Sequence, residues 1–143
     1  MGKKLLIKAG YKNGINQDTG KPLVLYFEAT GAGADTYAFL NWLRKQFKKI
    51  NIQLVTRVTD YNRFQEKMIN GTGQIFQWGW NADYPDPENF LFLLYGKNGK
   101  VKFGGENASN YENKEFDRLF LKMKNMQNSL ERKKIICLLY TSD

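Results

Sequence analysis

Histidine is absent from this 143-residue chain, and Cys137 is its one cysteine. These absences exclude Ser-His-Asp and Cys-His catalysis, His-Cys zinc sites and an intrachain disulfide. Long apolar runs are missing as well. The longest, FLFLLY at residues 90–95, falls far short of the roughly 18–20 residues that a membrane span needs. The N-terminal MGKKLLIKAGYKNG is basic but holds no hydrophobic signal core, so the signal of a secreted protein would lie outside this sequence. No repeat or low-complexity segment is present. With 42% apolar and 25% charged residues, the chain is not of disordered composition. Its length is that of one domain, and about two-thirds of the unfolded surface is hidden at this size.

Acids are scarce at the start of the chain and cations are scarce in its middle. The net charge is +8, and residues 1–50 carry nine Lys/Arg against three Asp/Glu. Between Lys67 and Lys97 there is no cation, whereas Asp83, Asp86 and Glu88 all fall there. Phe76, Trp78, Trp80, Tyr84, Phe90, Phe92 and Tyr95 share that stretch. An acidic, aromatic island in a basic chain suits a cationic or amphipathic ligand better than a phosphate.

The pattern predicts a helix end over 3–9, a turn-rich loop over 10–21 and a strand over 23–29. A helix follows over 35–50, with Leu40, Leu43, Phe47 and Ile50 on one face. A second strand (52–58), a helix capped by Asp60 (61–69) and a third strand (74–80) complete a β-α-β-α-β run. Short helical crossovers favour a parallel sheet with right-handed connections. Ligands of such sheets sit beyond the carboxyl ends of the strands, and the island begins where the third strand ends. Downstream, Asp86, Pro87 and Glu88 suit the start of a helix through Tyr95. A loop spans 96–112, Asn113 caps another helix, and Ser129 and Leu130 open a last segment.

The three carboxylates of the island have different explanations. Helix capping accounts for Asp86 and Glu88, and because asparagine caps nearly as well, Asp86→Asn should cost under about 1 kcal/mol. Asp83 precedes the cap by three residues. It is either a ligand-facing carboxylate or an ordinary turn aspartate. Trp78 and Trp80 share one face of an extended segment. Trp78 reads as core beside Phe76, and Trp80, at the strand end, as the surface aromatic. The lysine-rich helix 35–50 reads as a solvated face without interleaved exposed aromatics. Gly31-Ala-Gly33 lacks the third glycine of a dinucleotide loop. Cys137 has no basic partner that sequence can place, and reads as a buried or tail thiol rather than a nucleophile.

The run Gly79-Trp-Asn-Ala-Asp83-Tyr-Pro-Asp-Pro-Glu-Asn-Phe-Leu91 resembles the signature of the family 5 solute-binding proteins, the extracytoplasmic oligopeptide- and dipeptide-binding components of ABC importers. LIKAGYKNG, within Leu5–Gly14, Lys21-Pro-Leu-Val-Leu25, Gln46–Leu54 and Asn110–Asp117 resemble further family segments in the family's order. Together they cover about residues 3–125. The resemblance implies an α/β fold, one lobe of a type II periplasmic-binding-protein fold with a mainly parallel sheet flanked by helices. Residues 1–143 would form a single C-terminal lobe whose partner, the N-terminal lobe of the same protein, is missing. Residues 137–143 do not resemble the family's return strand and are expected to be a non-native or truncated tail. The implied function is capture of peptides outside the cytoplasmic membrane and delivery to ABC permease subunits, with no enzymatic activity, cofactor, metal or nucleic-acid partner. Asp83 would hold the peptide's α-amino group, with Trp80, Asn81 and Ala82 beside it, by a charge-assisted bond. The adjacent backbone would pair with an extended peptide. The alternatives are a basic nucleic-acid-binding α/β module, marked by steep salt dependence, and a small hydrolase restricted to carboxylate chemistry.

Overall fold

The computed structural model describes residues 2–141. These divide into two compact units. One comprises residues up to Lys67 together with Thr72–Gln77, and the other Met68–Gly71 with the residues from Trp78 onward.

The first unit opens with helix α1 (Gly2–Lys8) and a hairpin of β1 (Tyr11–Lys12) and β2 (Ile15–Asn16). Then come β3 (Val24–Thr30), α2 (Ala34–Lys48), β4 (Gln53–Thr59), α3 (Tyr61–Ile69, which runs on into the second unit) and β5 (Ile75–Phe76). The sheet has the order β4-β3-β5 with both pairings parallel, as the short helical crossovers predict. Register runs from Val24 opposite Gln53 to Thr30 opposite Thr59. Phe27, Leu40 and Leu54 form the buried core, with Leu43 and Phe47 of α2 packed against it. The helical spacing thus does put one face of α2 on the sheet, and each such burial contributes about 1.5–3 kcal/mol. Asp60 caps α3 by accepting from the Arg63 amide at 3.0 Å. Gly14 has φ +76°, and a Cβ there would lie 1.8 Å from the Asn51 carbonyl oxygen. Only glycine lets the hairpin rest on the α2–β4 turn.

Two differences from the sequence pattern stand out here. The turn-rich stretch 10–21 contains the small hairpin, whose two-residue strands are too short to show alternation. The third strand covers only Ile75–Phe76, because from Gln77 onward the chain has no ladder partner.

The second unit carries α4 (Glu88–Leu91) with a 3₁₀ turn over Phe92–Leu94, a second 3₁₀ turn over Gly96–Asn98, α5 (Lys100–Phe103), α6 (Lys114–Lys124) and α7 (Leu130–Thr141), with an isolated parallel bridge between Gly99 and Asn107. Leu91, Phe116, Phe120, Met123, Ile135 and Leu139 are its buried core. Asn113 caps α6 as predicted, its side-chain oxygen accepting from the amides of Glu115 and Phe116 at 2.9 and 3.1 Å. The expected loop 96–112 holds α5 and is organised by buried Asn107. The Asn107 amide donates to the carbonyls of Tyr95 and Tyr111 at 3.2 and 2.9 Å, and its oxygen accepts from Ser109 Oγ at 2.7 Å. Of the expected tail 137–143, residues to Thr141 continue α7, with Leu139 only 3% exposed, and Ser142 and Asp143 lie outside the described residues. No helix among the described residues is long and apolar enough to cross a membrane.

Candidate ligand-binding site

The island of acids and aromatics runs from β5 through the following loop into α4 and the 3₁₀ turn after it, and a buried asparagine fixes the shape of that loop. Asn89, 2% exposed, points its side-chain oxygen back at the loop. There it accepts from Trp80 Nε1 at 2.9 Å and from the Asp83 backbone amide at 3.1 Å. The Trp80 ring also packs edge-on against Phe92, with centroids 5.2 Å apart. One acceptor thus holds residues three apart, and the intervening Asn81 and Ala82 are carried on the resulting turn, exposed along with Asp83.

The three acids part company at this level. Asp86 accepts from the Glu88 amide at 2.8 Å, the bond expected of a helix cap. Its carboxylate is also gripped by both oxygens by Arg132 Nη2, at 2.8 and 2.9 Å. Arg132 is buried on α7 and further donates to the Met123 carbonyl at 3.1 Å and to Asn128 at 2.9 Å. The Arg132 hydrogen bonds hold the Asp86 carboxyl below the usual aspartate range, against the opposing effect of burial. Glu88 accepts from the Tyr84 hydroxyl and pairs with Lys124 at 3.4 Å. Asp83 differs from both: among the described residues nothing hydrogen-bonds to or pairs with its carboxylate. An exposed, unpartnered carboxylate on a turn held by two hydrogen bonds is available to an external cation.

The structure corrects two expectations and changes the grounds of a third. The capping role of Asp86 is present, but Arg132 also engages it, so Asp86→Asn should cost more than capping alone predicts, because it would leave a buried guanidinium without its counter-charge. Trp80 is half-buried and committed through both its N–H and its ring, so it props the loop rather than offering a free surface ring. Trp78 is likewise half-buried, not core, with Lys100 Nζ 5.3 Å from its ring centroid. The two tryptophans do not alternate as in a strand through residue 80, because the strand stops at Phe76. Sequence reasoning missed Asn89 and Arg132, whose roles rest on contacts 6, 9 and 46 residues apart. Among the described residues no group of three His, Cys, Asp or Glu is placed to hold a metal ion.

Residues 2–102 match the bacterial extracellular solute-binding proteins, family 5 middle region, and the chain belongs to that family. Its fold is of the type II periplasmic-binding class, α/β with a parallel sheet and helices. The chain is 28% identical over 133 residues to heme-binding protein A of Haemophilus influenzae, an alignment covering 93% of this chain and 23% of that protein. It is 33% identical over 72 residues to the oligopeptide-binding protein OppA of Bacillus subtilis, covering 50% of this chain and 12% of that one. The structure of the periplasmic binding protein DppA of Helicobacter pylori, in complex with the peptide STSA, superposes with a TM-score of 0.76 at 26% identity, covering 96% of this chain and 25% of that one. The chain therefore spans about a quarter of the length of its fuller matches. Family membership leaves the nucleic-acid-binding alternative without support.

Proposed function

We propose that this chain is a lobe segment of the substrate-binding component of an ABC importer. It captures peptides outside the cytoplasmic membrane for delivery to the permease, and performs no catalysis. Asp83 is the anchor for the peptide's α-ammonium group, with the backbone of Trp80, Asn81 and Ala82 beside it. The observation that carries this reading is the unequal partnering of the island's acids. Arg132 engages Asp86, Tyr84 and Lys124 engage Glu88, and only Asp83 presents an unpaired carboxylate on a turn braced by Asn89. The relatives are named for heme as well as for peptides, and the unpaired carboxylate, which suits an ammonium group, is what favours a peptide here.

The test is Asp83→Asn in the full-length protein that carries this sequence, with peptide affinity measured by calorimetry. Shape and hydrogen-bonding capacity are kept and the charge is removed. Affinity should fall by about 2–5 kcal/mol, because the ligand's ammonium loses its counter-charge. Unchanged affinity would remove Asp83 from the site. The chain alone supplies one wall of a two-walled cleft. If half of a micromolar binding energy of about 8 kcal/mol is lost, it should bind the same peptide only in the millimolar range.

A further inference from the structure

Six of the first unit's cations gather where two acid-free stretches of the chain meet. Residues 1–17 and 36–59 contain no aspartate or glutamate. The fold brings them together. α1 begins beside the far end of α2, where a side chain added at Gly2 would lie 3.8 Å from Ile50. The hairpin rests on the adjoining α2–β4 turn through Gly14 and Asn51. Lys3, Lys4, Arg44, Lys45, Lys48 and Lys49 thus collect around one end of the unit. All six are exposed, and none has an ion-pair partner among the described residues. The unit's other cations include Arg57 and Lys67, which share Glu28, and Arg63, which pairs with Asp60.

Aromatic side chains lie on the same helix. Phe39 and Trp42 stack with centroids 6.2 Å apart and planes at 23°, and they are 41% and 55% exposed. Trp42 precedes Lys45 by three residues, so indole and ammonium groups share a face of α2, and Lys49 follows at seven residues as the helix's C-cap. This overturns the expectation that the lysine-rich helix lacks exposed aromatics. Beside that face, Arg44 and Lys48 border an open depression of about 350 Å³ that Asn51, Ile52, Gln53 and Leu54 complete. No acid lines it.

We propose that this end of the first unit docks on an anionic phospholipid surface, with Lys45 and Lys49 beside Trp42 at headgroup depth and the neighbouring cations adding to the attraction. Several long, unpaired cations around exposed aromatic rings match the composition of interfacial helices. Juxtamembrane lysines and arginines are each attracted to anionic lipid by about 1 kcal/mol, or roughly fivefold in partition. The choice of lipid over nucleic acid rests on the extracytoplasmic placement proposed above.

The test uses the 143-residue chain and sedimentation with phosphatidylcholine vesicles, pure or with roughly a third phosphatidylglycerol. Binding should require phosphatidylglycerol and weaken as salt rises. The combined variant Arg44→Gln, Lys45→Gln, Lys48→Gln and Lys49→Gln should partition about tenfold or more weakly. Changing Lys97, Lys114, Lys133 and Lys134 of the second unit to glutamine gives the same net charge and should alter partition less than about twofold. Brominated lipid should quench tryptophan emission in the wild type but not in Trp42→Phe, with circular dichroism confirming that every variant is folded. Equal losses in the two glutamine variants, no binding to anionic vesicles, or quenching that survives in Trp42→Phe would each overturn the proposal. So would binding to a single-stranded oligonucleotide at a salt concentration that abolishes vesicle binding. Asp83→Asn should leave vesicle binding intact, so failure of the peptide reading and failure of the docking surface are separately visible.

Discussion

In the first unit twelve Lys/Arg stand against five Asp/Glu, and in the second ten stand against nine. The first unit pairs Arg57, Arg63 and Lys67, and leaves the cations of α1 and α2 to solvent. In the second unit Lys100, Arg118, Lys122, Lys124 and Arg132 all have carboxylate partners, and Asp83 keeps its charge unpaired in the island. The difference separates charges that hold the fold from charges that face outward. A paired group such as Asp86 is costly to alter and unavailable to a ligand. An unpaired group such as Asp83 or Lys45 is cheap to alter in stability and open to a partner.

That division can be broken most severely in the cores. Phe120→Ala in the second unit and Leu40→Ala in the first remove side chains only 1% exposed, and should cost about 3–5 and 2–5 kcal/mol respectively. Amide hydrogen exchange should show the loss of protection in the unit that carries the substitution. Next in size is the Asp86–Arg132 pair. Asp86→Asn keeps the cap and removes the counter-charge of a buried guanidinium. Because Asp86 itself is about one-third exposed, the loss should be about 2–3 kcal/mol in urea unfolding at neutral pH, below the full cost of breaking a buried pair. A loss under about 1 kcal/mol would mean that capping is the whole of its role.

The same pair sets a pH dependence. Arg132 lowers the Asp86 pKa in the folded state, so its stabilisation is fully present above the ordinary aspartate value of about 3.9 and is lost as pH falls through the lower folded value. The stability gap between wild type and Asp86→Asn should therefore be constant from neutral pH down to about 5 and then close on further acidification. A gap that persists at the lowest pH at which the chain remains folded would contradict the pairing. Smallest of these effects is the cap of α6: Asn113→Ala should lower stability by about 1 kcal/mol, whereas Asn113→Asp should hold it.

Local patterns carried much of this structure and long-range contacts carried the rest. The spacing of Leu40, Leu43 and Phe47 is enough to seat α2 on the sheet, and Asn113 ahead of Phe116 is enough to start α6. Glu28 shows the opposite case. It reads as one residue of a strand, yet it is 1% exposed, and its partners Arg57 and Lys67 lie 29 and 39 residues downstream. Arg132 reaches Asp86 across 46 residues, a relation that no periodicity encodes. In the candidate site, Asp83 was separable from its neighbours by position alone. The bracing by Asn89 was not, because it depends on a turn over Trp80–Asp83 that follows a third strand shorter than the pattern predicts.

One double comparison isolates the role of the Asp83 charge in holding the peptide. Calorimetry on the full-length protein would measure a free peptide and its N-acetylated form against wild type and Asp83→Asn. If the carboxylate holds the α-ammonium group, acetylation should weaken binding to wild type by about as much as the substitution does, roughly 2–5 kcal/mol. It should then weaken binding to Asp83→Asn little further, because the two changes remove the same interaction. Acetylated and free peptides binding wild type equally well, or losses that simply add, would contradict it.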